Sequence, residues 1–293
     1  MNISASFLSR QRIAPRFDRL VAYFDQCRGD RTNARRQMSL DEGVAVGHFD
    51  GLRLHSAFQP LFQTDTMCPM AFEALLRARD GTNACISPEI AFASPMTSEE
   101  IIYFDRLCRM VHVVNFVRQA NPQELLFLNI DGRQLLNIGG GSHGSAFETL
   151  LTYCGLKPQQ VVLEIVESRI DDLARLVEAV SDYQKRGYRV AIDDFGCHDS
   201  NFDRLWQLSP DFVKLDRSLI VQSMINPRAK VIFPKLVEII HDLGAQTVCE
   251  GIETSEQHRL ALSSGVDLVQ GFFYARPQAN LLSPDPLFQA RSA

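Results

Sequence analysis

From about residue 50 onward the chain alternates short apolar runs with longer helical patterns, and this alternation restricts the fold more than any other feature. Eight runs rich in Val, Ile, Leu and Phe have strand length: 54–62, 70–78, 125–130, 161–166, 188–193, 211–216, 245–250 and 267–275. Helix-like stretches separate most of them, at 98–120, 145–154, 169–186, 200–208, 228–243 and 254–264. Strands joined through helices pair in parallel. Eight such units in roughly 240 residues suit a closed barrel better than an open sheet. The sequence therefore predicts an α/β fold, a modified (β/α)8 TIM-type barrel. Only the second run follows the first without room for a helix, so these two form a hairpin and the barrel starts on an antiparallel first strand.

The segment before the barrel has a different character. Residues 1–36 carry eight arginines against three aspartates, a surplus of five positive charges, which leaves 37–293 at −10 within a net charge of −5. Phe17, Leu20, Val21 and Phe24 recur at helical spacing, predicting a short amphipathic helix over 16–27 followed by the polar linker 28–37. The division expected is an N-terminal extension over 1–48 and a barrel over 49–285. The apolar face of the extension is expected to pack on the barrel or on a second subunit, with a protein partner as a further alternative for the extension, ahead of nucleic-acid or membrane contact through its arginines. No apolar run reaches the roughly 18–20 residues of a membrane span and no signal-peptide core is present, so the cytoplasm is the expected compartment. The seven cysteines are scattered and never spaced C-x-x-C, which predicts free thiols rather than a disulfide framework or a zinc site.

Barrel enzymes build their sites at the C-terminal ends of the strands. At or near those ends the eight runs carry Gln59, Glu73, Asn129, Glu164, Asp193 with Asp194, Lys214, Glu250 and Gln270. Singly, each has an ordinary structural explanation: Glu73 and Glu164 as interior residues paired with lysine, Asn129 as a turn residue, Lys214 as a counter-ion. Together at one rim they point to a site. Arg77 lies on the strand face of Glu73, where its guanidinium can fork onto a phosphate or pair with a barrel carboxylate.

The stretch "IDDFG" (192–196) ends a buried strand on two adjacent carboxylates. One aspartate would serve as a turn or cap residue. Two repel each other, and burying either without a partner costs on the order of 1–3 kcal/mol. A ligand set of Glu, Asp and Asn, without His or Cys, selects hard cations such as Mg²⁺ or Mn²⁺. In a two-ion site one aspartate can bridge both ions while its neighbour binds the second.

The blocks "FEALLR" (72–77), "LNI" (128–130), "LEIVES" (163–168), "IDDFG" (192–196), "VKLDRSLI" (213–220), "CEGIET" (249–254) and "VQGFFYARP" (269–277) resemble, in order, the signature blocks of the EAL-domain family, the cyclic di-GMP phosphodiesterases. The resemblance implies hydrolysis of cyclic di-GMP to linear pGpG with Mg²⁺ or Mn²⁺, two ions per site. By position, Glu73, Asn129, Glu164 and Asp193 match the ligands of one ion, and Asp193, Asp194 and Glu250 those of the other. Lys214 matches the lysine that holds the attacking water, and Glu250 is also the matching general base. Gln59, Leu75, Arg77 and Gln270 match positions near the substrate, and Glu167 matches a glutamate anchoring the loop after Asp194. The family's habit of pairing barrels implies a homodimer.

The departure from the family lies in that loop, which reads Cys197, His198, Asp199, Ser200, Asn201 where the family has glycine at position 198. Glycine reaches φ > 0 freely, whereas His does so at a steric cost. Two function classes remain open: an active phosphodiesterase, and a weak or inactive cyclic di-GMP receptor that signals through protein contacts. A lyase using Lys214 as a Schiff base is a distant third, because that lysine would need an apolar surrounding to lower its pKa.

Overall fold

The computed structural model describes residues 17, 20–22, 36–130, 143–166, 172–197 and 202–281. Among these residues eleven strands form one sheet: β1 (Arg36–Asp41), β2 (Val44–Phe49), β3 (Leu52–Gln63), β4 (Pro69–Arg79), β5 (Cys85–Ile86), β6 (Leu125–Asn129), β7 (Val161–Val166), β8 (Arg189–Phe195), β9 (Phe212–Leu215), β10 (Gln246–Cys249) and β11 (Leu268–Val269). Eight of them close a barrel in the order β3, β11, β10, β9, β8, β7, β6, β4 and back to β3. From β4 through β11 the barrel neighbours are parallel, while β3 is antiparallel to both β4 and β11. This is the expected modified (β/α)8 fold.

Strand alternation divides the apolar residues between two cores. One set, including Leu61, Ala71, Phe127, Val162, Ala191, Phe212, Val248 and Leu268, plugs the barrel interior. The other points outward and is covered by helices, as Phe58, Phe72, Leu128, Leu163, Ile192 and Val213 are. The covering helices include Ser98–Val117, which starts on a capping box between Thr97 and Glu100, and Ser255–Ser263, capped in the same way by Thr254 and Gln257. Phe17 and Leu20 are helical and buried in the outer core, so this part of the amphipathic pattern packs on the barrel's own shell.

Several elements differ from expectation. β1 begins inside the segment expected to be linker, and β1 and β2 were not expected at all. Both are set by two-residue turns with positive φ, Glu42-Gly43 (48° and 80°) and Asp50-Gly51 (47° and 93°), the geometry that joins twisted antiparallel strands. Helices Pro88–Ala93 and Arg217–Ile225 were also unexpected; in the second, the apolar residues Leu219–Val221 and Met224-Ile225 alternate with polar pairs and no amphipathic period stands out. The last strand, expected over 267–275, stops at Val269. There Gly271 lies against the backbone of Ile252, whose O would be 2.1 Å from any Cβ, and the chain turns: Ile252 N–H donates to Gln270 O and Phe273 N–H to Ile252 O.

Candidate active site

The site follows from a two-residue period common to every barrel strand. Two residues beyond each plug residue, toward the barrel mouth, stands a polar one: Ala71 and Glu73, Phe127 and Asn129, Val162 and Glu164, Ala191 and Asp193, Phe212 and Lys214, Val248 and Glu250, Leu268 and Gln270. In β3, which runs the other way, the offset reverses and Leu61 is followed toward the mouth by Gln59. The polar layer therefore sits directly on an apolar plug. Its backbone is held by continuations of the barrel ladder: Glu250 N–H donates to Leu215 O, Gln270 N–H to Cys249 O, and Ile130 N–H to Glu164 O.

Lys214 is the centre of this layer. Its Nζ lies 2.5 Å from Glu164 Oε1, 2.7 Å from Glu250 Oε1, 3.0 Å from Asp193 Oδ1 and 3.8 Å from Glu73 Oε1. Its side chain is 1% exposed. Asn129 Nδ2 donates to Glu164 Oε2 at 3.0 Å and more weakly to Glu73 Oε1 at 3.5 Å, and Gln270 Nε2 donates to Glu73 Oε2 at 2.9 Å. Burial opposes the charge on Lys214, but the surrounding carboxylates overcome it and hold its pKa well above the ordinary value. Burial pushes Glu164 well up, against the pull of Lys214, and raises Glu250 to about 8 in the same way. A Schiff-base lysine needs the opposite shift, so this environment disfavours the lyase reading. The structural explanation of Glu73 and Glu164 as partners of a lysine describes the metal-free geometry, and it leaves more carboxylate than one ammonium can neutralise.

Asp193 and Asp194 occupy an irregularity in β8. The pairing with β9 shifts register between Ile192 and Phe195, and Asp194 has φ of 55°. In a regular strand adjacent side chains face opposite sides; a bulged residue in the left-handed region escapes that alternation. As a result Asp193, Asp194 and Glu250, all half-buried, bring ligand oxygens within 4.8 Å of one another. Asp194 N–H also donates to Asp193 Oδ1 at 3.0 Å. Glu164 Oε1 and Glu250 Oε1 are fully buried and lack a well-directed hydrogen bond, although each lies against the Lys214 ammonium. Four carboxylates around one lysine with Asp194 beside two of them, donors that are all oxygen, and two buried oxygens without hydrogen bonds fit a divalent cation of the Mg²⁺ or Mn²⁺ type.

The remaining predicted positions divide into three groups. Gln59 stands directly across from Glu73 and donates through Nε2 to Ala275 O at 3.3 Å. Leu75 and Arg77 continue the Glu73 face of β4 toward the mouth; Arg77 is exposed, pairs with no carboxylate among the described residues, and donates to Leu76 O. Glu167 and His198–Asn201 lie outside the described residues. The six described cysteines, of which Cys108 and Cys249 are buried, are all free thiols. The apolar plug was the missed part of the site, and its signal was present: an apolar residue two positions from each polar one.

A family model described as EAL domain matches residues 47–277. Among curated proteins, the cyclic di-GMP phosphodiesterase RocR of Pseudomonas aeruginosa is 31% identical over 159 residues, covering 54% of this chain and 40% of RocR. The EAL-domain protein YkuI of Bacillus subtilis is 29% identical over 175 residues, covering 58% of this chain and 42% of YkuI. The chain thus spans less than half the length of these curated relatives. Among solved structures, Klebsiella pneumoniae BlrP1 in a calcium and cyclic di-GMP complex matches with a TM-score of 0.70 at 26% identity, covering 93% of this chain and 68% of that one. A manganese and cyclic di-GMP complex of the same protein matches with a TM-score of 0.69. Among the described residues no helix is long and apolar enough to cross a membrane.

Proposed function

The chain belongs to the EAL domain family of cyclic di-GMP phosphodiesterases, and from that premise we propose that it hydrolyses cyclic di-GMP to linear pGpG with Mg²⁺ or Mn²⁺. The observation that carries this reading is the ring of Glu73, Glu164, Asp193 and Glu250 around Lys214, with Asp194 turned toward Asp193 and Glu250 by the bulge in β8. Glu73, Asn129, Glu164 and Asp193 would hold one ion; Asp193, Asp194 and Glu250 would hold a second. When bound, such ions supply an acidified water and neutralise charge on the phosphoryl oxygens.

In this reading Glu250 accepts a proton from the attacking water. Lys214 donates a hydrogen bond that orients the same water. Water adds across one P–O3′ bond: its oxygen joins phosphorus, the bond to O3′ breaks, and O3′ leaves protonated. Ring opening leaves a terminal 5′-phosphate and a free 3′-hydroxyl. Arg77 contacts a phosphate, Gln59, Leu75 and Gln270 line the substrate, and Glu167 anchors the loop after Asp194. The working unit is a homodimer, and a partner protein contacts the N-terminal extension on the surface left by the packing of Phe17 and Leu20 on the barrel's shell.

The test is incubation of purified protein with cyclic di-GMP and Mn²⁺ or Mg²⁺, followed by separation of the nucleotides. Conversion to pGpG that stops in EDTA and in a folded Asp193→Asn variant supports the proposal. Tight nucleotide binding without conversion in either metal would favour the receptor instead.

A further inference from the structure

β3 and β4 are longer than the barrel requires, and their outer ends rise above the mouth, flanked by β1 and β2 on one side and β5 on the other. One face of this antiparallel ledge packs against the helix Ser98–Val117 through Ala45, Phe49, Leu54 and Ala78. The other face continues the active-site face of the barrel. Starting from the Gln59 and Glu73 rung at the floor, the next rungs are Ala57 and Leu75, then His55 and Arg77, then Arg53 and Arg79, with His48 beside Arg53. At about 3.3 Å per residue, Arg77 stands roughly 13 Å and Arg79 roughly 20 Å along the strand from Glu73.

Two arginines directly opposite one another in a sheet repel. The described residues offer one ion pair to this face, Asp41 with Arg53 at 3.6 Å, between side chains that are both largely exposed. Arg79 donates to Asn83 O and has no carboxylate partner, and His55 makes no hydrogen bond among the described residues. Burial first, and then Arg53, lowers the pKa of both His48 and His55, so at neutral pH the arginines carry the charge of this face; the His48 Nε2 is hydrogen-bonded to Ser39 Oγ at 2.8 Å. A local rule broken with a single exposed ion pair to offset it marks a functional surface more often than a structural one. The carboxylate-rich floor and a body of net charge −10 would by themselves repel an anion on approach.

We propose that Arg53, His55 and Arg79 form a capture strip that draws the phosphates of an incoming cyclic dinucleotide over the ledge and hands them down to the site at the barrel floor. The proposal rests on the functional reading above, and it places these residues in association rather than in chemistry. The strip lies farther from the floor than a Debye length of about 8 Å at physiological salt, so it acts on ligand approaching the ledge and its effect must fade as salt rises.

The experiment is stopped-flow association of a fluorescent cyclic di-GMP analogue with wild type, Arg53→Gln/Arg79→Gln and Arg53→Lys/Arg79→Lys, at low and high ionic strength, with steady-state turnover measured on the same samples. The expected result is an association rate about tenfold lower in the Gln pair at low salt, a flattened salt dependence, an unchanged kcat, and recovery in the Lys pair. Wild-type rates in the Gln pair at low salt, or a fall in kcat with no fall in association rate, would overturn the strip. If wild type binds the analogue without hydrolysing it, the phosphodiesterase reading fails while the association rates still decide the strip. Absence of binding by wild type overturns both.

Discussion

Replacing Lys214 by Met removes the one positive charge from a buried cluster in which carboxylate oxygens stand 2.5, 2.7, 3.0 and 3.8 Å from its Nζ. In metal-free protein the cluster must then shed negative charge by taking up protons. Forcing one proton at pH 7 onto a carboxyl of ordinary pKa 4.5 costs about 3.4 kcal/mol, at 1.36 kcal/mol per pH unit. That agrees with the roughly 3–5 kcal/mol typical of breaking a buried ion pair by removing one partner. At pH 5 the same proton costs about 0.7 kcal/mol, so the deficit should nearly vanish. In a chain of this size, about 3.4 kcal/mol corresponds to a melting point lowered by roughly 7–14 °C. The assay is calorimetric unfolding of chelator-treated wild type and Lys214→Met at pH 7 and pH 5, then again with saturating Mn²⁺. The expected pattern is a large deficit at pH 7, a small one at pH 5, and a larger Mn²⁺ stabilisation of the variant than of wild type. Equal melting points at pH 7 in chelator would refute the picture of an ammonium neutralising a carboxylate ring.

Metal-free wild type should also lose stability as pH rises. Glu164 and Glu250 have folded pKa values above their unfolded ones, so the native state binds more protons from about pH 4.5 up through about 8 and is progressively less favoured across that window. Because metal binds the deprotonated carboxylates, saturating Mn²⁺ should reverse the slope; melting points in a pH series with and without the ion check both halves. Ca²⁺ should support nucleotide binding with little hydrolysis, since its larger and looser coordination misplaces the water; equal turnover with Ca²⁺ and Mn²⁺ would contradict this. Gly271→Ala sets a Cβ 2.1 Å from Ile252 O and 2.3 Å from Ile252 N, a clash with backbone that should cost on the order of 3 kcal/mol in denaturant titration and displace Gln270.

Much of this architecture is legible in the residues because barrel strands impose a two-residue period, and that period puts Glu73, Glu164, Lys214 and Glu250 on the inner face of their strands. The hairpins at the start were equally legible in principle. Asp50-Gly51 between Phe49 and Leu52 is among the strongest short-range turn signals, but β1 and β2 are short and only partly alternating, so the strands themselves carry little pattern. Other features depend on contacts distant in sequence. Nothing around Asp194 announces a left-handed residue inside a strand, since that conformation is fixed by the register shift against β9. The early end of β11 depends on Ile252, nineteen positions before Gly271, and only the folded backbone brings the two together. The opposition of Arg53 to Arg79 likewise exists only once β3 and β4 are in register.

The central claim, that the carboxylate ring around Lys214 supports metal-dependent opening of a cyclic dinucleotide by water, is tested most directly by hydrolysis of cyclic di-GMP in ¹⁸O-labelled water with Mn²⁺, analysed by mass spectrometry. The account predicts linear pGpG carrying a single labelled oxygen on its terminal phosphate, with no product in EDTA. Undiminished turnover in EDTA, or intact nucleotide recovered after binding to metal-loaded protein, would contradict it.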